Sequence, residues 1–93
     1  MKTIYKYDLF GYVGAQSIDT MIPGDARLLK VGVQQGRIVG WFLVNPSEPV
    51  TTRTFRLIGT GWWVQDDELD DFDYIDTVFD GEFVWHVWEQ RRP

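Results

Sequence analysis

A chain of 93 residues with a net charge of −5 and no cysteine is sized for one domain, spanning residues 1–93. Apolar packing must hold it together, without a disulfide or a thiolate zinc site. No run approaches the ~18 apolar residues of a membrane span, and the opening Met-Lys-Thr-Ile-Tyr-Lys-Tyr lacks the apolar run of a signal peptide, so no membrane partner and a cytosolic location are expected. The charge is split along the chain: residues 1–65 carry seven basic and four acidic side chains, residues 66–93 two basic and ten acidic. That pattern disfavours direct nucleic-acid binding and favours a basic protein surface as partner of the acidic end.

Residues 3–13 mix β-branched and aromatic side chains and read as a strand with a break near Gly11 or Gly14. Ser17 to Ile22 alternates weakly and reads as a short strand, closed by the turn composition Pro23-Gly24-Asp25. Leu28 to Val33 follows, with Leu29, Val31 and Val33 expected on one face. Gln34-Gln35-Gly36 then turns the chain into Arg37–Val44, whose residues are apolar on both faces. Asn45-Pro46 ends this hairpin, because Pro46 has no amide hydrogen for a ladder. Thr51 to Ile58 alternates again: Arg53, Phe55 and Leu57 share one face, Thr52, Thr54, Arg56 and Ile58 the other.

Gly59-Thr60-Gly61 interrupts that strand and Trp62-Trp63-Val64 follows. Residues 66–73 are six-eighths acidic and read as a loop or one helical turn anchored by Leu69 and Phe72. The chain closes on a hairpin in which Asp80-Gly81 is the expected two-residue type I′ turn. That register pairs Phe79 with Glu82, Val78 with Phe83 and Ile75 with His86. Six or seven short strands between turn signals predict an all-β fold, a small antiparallel barrel or sandwich of five to seven strands. The two-faced apolar strands Val39–Val44 and Val84–Trp88 predict self-association into a homo-oligomer.

Few residues carry chemistry. Gly59-Thr60-Gly61 lacks the third glycine and following helix of a dinucleotide loop, and reads as a turn or an anion-binding nest. Trp62 and Trp63 fall on opposite sides of an extended chain, so one is free to act as a binding anchor. With Thr60, Arg53 and Arg56 they form the candidate ligand site, the arginines being clamps for a phosphate or carboxylate. Asp66, Asp67, Glu68, Asp70, Asp71 and Asp73 form the candidate partner-binding surface; they lack the spacing and central glycine of a calcium loop. Trp41, Trp85, His86 and Trp88 are expected in packing or an interface. The lone His86 has no second ligand for a metal. No cysteine nucleophile and no G-x-S-x-G serine is present, so no enzyme and no cofactor are expected.

The segments MKTIYKY, PGDARLLKVGVQQG, TRTFRLIGTG and DGEFVWHVWE resemble a family of short, uncharacterised phage and prophage proteins over most of the chain. The sequence departs from that pattern just after Gly61, where Trp62-Trp63 stand in place of a polar residue, often His. The resemblance implies viral origin and expression in the cytoplasm of a bacterial host, and supplies no catalytic residues. It points to a non-catalytic accessory protein that acts by binding. Such a protein would counter host defence by blocking a basic host protein or by sequestering a small anionic ligand such as a nucleotide. The alternative is a small structural or assembly component of a phage particle.

Overall fold

In the computed structural model, which describes residues 1–10 and 16–92, seven strands run in order. They are β1 (Thr3–Phe10), β2 (Ser17–Pro23), β3 (Arg27–Gln34), β4 (Arg37–Val44), β5 (Val50–Gly59), β6 (Phe72–Asp80) and β7 (Phe83–Gln90). All pairings are antiparallel. They build a three-stranded sheet ordered β1-β4-β3 and a four-stranded sheet ordered β2-β5-β7-β6. The sheets are not closed into one ladder; they stack like a sandwich, with β3 beside β6 and β1 beside β2. The expected all-β architecture is therefore present. The described part of the first strand ends at Phe10; the glycine break expected there lies outside the described residues.

Alternation selects what enters the layer between the sheets. Ile38, Phe42 and Val44 of β4 point inward, as do Phe55 and Leu57 of β5 and Trp85 and Val87 of β7. Phe42 meets Phe55 edge-on across the layer, with centroids 6.3 Å apart. In β3 a bulge between Leu28 and Lys30 changes the expected face. Leu28, Val31 and Val33 turn inward, and Leu29, expected beside Val31 and Val33, stays exposed. The extra residue of a bulge breaks the two-residue period.

The two hairpins use different turns. Between β3 and β4, Gln34 pairs with Arg37, and both Gln35 (φ 52°) and Gly36 (φ 73°) are left-handed, the pattern of a type I′ turn. The β6–β7 hairpin departs from the expected register. Asp80 pairs with Phe83, Phe79 with Val84 and Thr77 with His86. The loop is thus Gly81-Glu82, and only Gly81 has positive φ (59°), the pattern of a type II′ turn. Glycine in the first central position suits that turn, and it leaves Asp80 free to pair. The shift of two residues preserves which side chains share a face as far as the bulge between Tyr74 and Asp76.

Candidate functional site

The four-stranded sheet presents two chemically different faces. Arg53, Phe55 and Leu57 share a face as expected, and that face is the interior. Arg53 is 3% exposed. Its Nε and Nη2 donate to the Glu89 carboxylate at 2.6 and 2.8 Å, and Nη1 donates to the Ala26 carbonyl at 2.6 Å. The guanidinium also lies 5.3 Å from the Phe42 ring centroid. The fork is fully engaged in a bidentate pair, so the expected ligand-binding role of Arg53 is corrected: burial between the sheets makes it a brace of the core.

The other four ligand candidates gather around the C-terminal end of β5: Arg56 on its outer side, and Thr60, Trp62 and Trp63 in the turn that follows. Arg56 Nη1 donates to Glu68 Oε2 at 2.8 Å, and its guanidinium lies 4.8 Å from the Phe72 ring centroid. The Trp62 indole packs over Gly59, where a Cβ would meet its ring at 2.7 Å, and stands edge-on to Trp85 at 5.5 Å. With that indole engaged, Trp63 projects into solvent, 98% exposed. Two shallow depressions adjoin here and share Ile58, Trp62 and Val64. One, of about 190 Å³, is bounded by Arg56, Trp63 and Glu68; the other, of about 300 Å³, by Thr60, Leu69, His86 and Trp88. A larger open cleft of about 760 Å³ lies at another part of the surface, beside Gly24, Thr51 and Arg91. It holds none of the ligand candidates.

His86 is the polar floor of the second depression. Its Nε2 is 2.8 Å from Thr60 Oγ1 and its Nδ1 3.0 Å from Thr77 Oγ1. The Thr77 hydroxyl is in turn hydrogen-bonded to Tyr74 Oη. Both ring nitrogens are thus occupied by hydroxyls. Among the described residues no group of three or more His, Cys, Asp or Glu side chains is arranged to hold a metal. Trp88 lies edge-on to Tyr74 at 5.4 Å, Trp85 is in the core, and Trp41 lies over Gly32 on the outside of the three-stranded sheet. Sequence reasoning placed Ile75 opposite His86 and so missed Thr77 and Tyr74; a type II′ reading of Gly81-Glu82 would have found Thr77.

The acidic segment is a run of turns, closed by backbone bonds from Glu68 to Gln65, Asp70 to Asp67 and Phe72 to Leu69. Leu69 and Phe72 are half-buried anchors. The six acidic candidates divide in two. Glu68 Oε1 accepts from the Gln65 amide at 3.0 Å while its Oε2 holds Arg56, and Asp73 accepts from Arg91 at 2.9 Å. Asp66, Asp67, Asp70 and Asp71 are exposed and make no ion pair among the described residues. The pairing of Arg56 with Glu68 was not legible from spacing, because the two lie 12 positions apart with the end of β5 and two sets of turns between them.

The side chains of this region therefore carry more acidic than basic groups. Among the described residues its one cation on the outer face, Arg56, is paired with Glu68, and Asp66, Asp67, Asp70 and Asp71 follow in the same run of turns. Among the described residues no helix is long and apolar enough to cross a membrane. No curated protein and no solved structure matches the chain. The profile of a family described as a domain of unknown function, DUF7352, matches residues 1–93. The chain therefore belongs to the DUF7352 family.

Proposed function

We propose that this protein is a non-catalytic docking module for a basic protein surface, with Trp63 as anchor and Asp66, Asp67, Asp70 and Asp71 as the charged rim. The observation that carries this reading is the 98% exposure of Trp63 beside turns in which Asp66, Asp67, Asp70 and Asp71 make no ion pair among the described residues. Covering an indole of roughly 150–250 Å² at about 25 cal/mol per Å² yields on the order of 4–6 kcal/mol before the costs of association. The rim would steer a cationic partner to the site, and a lysine or arginine of that partner would gain further from the Trp63 ring face. In the setting implied by the resemblance to phage proteins, the partner is a basic protein of the bacterial host cytoplasm. Masking its nucleic-acid or partner site requires no catalytic group.

Fluorescence titration with a lysine- and arginine-rich peptide tests this reading. Reversing Asp66, Asp67, Asp70 and Asp71 to Lys should abolish binding with the fold intact by circular dichroism. Trp63→Ala should weaken binding by about 2 kcal/mol, the scale of a central anchor, with no change in thermal midpoint. Undiminished binding by either variant sinks the proposal. A nucleotide bound more tightly than the peptide would turn the site back into an anion pocket.

A further inference from the structure

The outer face of the three-stranded sheet is the chemical opposite of the acidic site. The register sets Trp41 between Lys6 and Lys30, and Leu43 between Ile4 and Arg27. Because Phe42 and Val44 point inward, these neighbours point outward. Lys6, Arg27 and Lys30 are exposed, while Trp41 and Leu43 between them are half-buried. Lys6 is held by a 2.7 Å bond from its Nζ to Gln34 Oε1. Asp8, two positions after Lys6 on the same side of β1, is bound to Arg37 at 2.9 Å. Lys30 reaches Asp76 of β6 only at 3.5 Å and remains 69% exposed. A basic rim thus surrounds an apolar strip on a protein whose net charge is −5.

The molecule measures 42 × 31 × 17 Å, a slab with this basic face on one side. The acidic turns lie over the other side, tied there by the Arg56–Glu68 bond. We infer that copies of this chain associate head to tail, the outer face of the three-stranded sheet of one copy receiving Trp63 and the acidic turns of the next. Charge complementarity selects the second copy as occupant: an exposed indole in an acidic rim meets an apolar strip in a basic rim. Patches on opposite sides of a slab cannot satisfy each other within a closed two-fold pair, so the contact is heterologous and builds a ring or an open stack of more than two copies. The inference rests on the docking reading above. It adds that self-association and the basic partner compete for one surface.

Sedimentation velocity at low salt over a range of concentrations tests it. The wild-type chain should grow beyond a dimer with concentration. Raising the salt to about 0.5 M should weaken association at least tenfold, because these rims are solvent-exposed. Lys6→Glu with Arg27→Glu should weaken self-association on the order of tenfold per reversed charge yet still bind the basic peptide. Reversal of the four aspartates should abolish both. Mixing the two variants restores one native contact and should give a complex larger than either variant alone. A wild-type monomer at every concentration, or association that persists in K6E/R27E, overturns the inference while leaving the docking module standing. Peptide binding that survives the aspartate reversal removes the docking reading instead.

Discussion

Arg53 and Arg56 are three positions apart on one strand, and each holds a glutamate and lies near an aromatic ring. Arg53 faces the interior, where it grips Glu89 with two bonds; Arg56 faces outward, where one bond joins it to a half-buried Glu68. The same chemistry serves two ends. Inside, both charges have left water, so each depends on the other. Outside, water screens the pair and the bond mainly fixes where the acidic turns sit. Alternation along a strand therefore decides whether an ion pair braces the core or positions a surface.

Substitutions should separate the two pairs. Glu89→Gln leaves Arg53 buried without a counter-charge and should cost about 3–5 kcal/mol in denaturant unfolding. Replacing both partners, Arg53→Met with Glu89→Leu, should recover most of that loss. If Glu89→Gln costs under 1 kcal/mol, the interior pair is no stronger than a surface pair and the contrast fails. Gly59→Ala joins the two faces, since its new Cβ would displace the Trp62 ring from its seat beside Trp85. It should cost about 1–3 kcal/mol and change the tryptophan fluorescence. An unchanged spectrum would show that Trp62 is not seated there. Glu68→Gln should change stability by less than about 1 kcal/mol while weakening peptide binding through the loosened turns. A loss as large as that of Glu89→Gln would erase the distinction.

Much of this arrangement was legible in the sequence. Parity along Thr51–Ile58 separated Arg53 from Arg56, whereas of the two indoles neither enters the core: Trp63 is free and Trp62, packed on Gly59 and Trp85, stays 42% exposed. What parity does not say is which face is inside. The signal was present twice: Arg53 continues the apolar series Phe55, Leu57, and Glu89 continues Trp85, Val87. Opposite charges in register with two inward series mark a buried pair. The β6–β7 loop is Gly81-Glu82 rather than Asp80-Gly81 because glycine followed by a residue of ordinary φ suits type II′ as well as Asp-Gly suits type I′. Leu29 was misplaced because a bulge leaves no mark in the alternation of Leu28–Val33. The meeting of Arg56 with Glu68 depends on tertiary placement of the turns, which no local pattern encodes.

The sheet order also carries a consequence for how the molecule comes to exist. Among the described residues β3–β4 and β6–β7 are the local hairpins; β1 must wait for β4, β2 for β5 and β5 for β7. Loop-closure entropy makes such non-local pairings slow. During synthesis the first two strands emerge before either partner has been made, with Ile4, Tyr5 and Ile18 unpaired. The two hairpins can form within their own segments, and the N-terminal strands then complete each sheet at its edge. Each sheet thus joins one local hairpin to an edge strand from earlier in the chain, so neither N-terminal strand has its ladder until its later partner is in place.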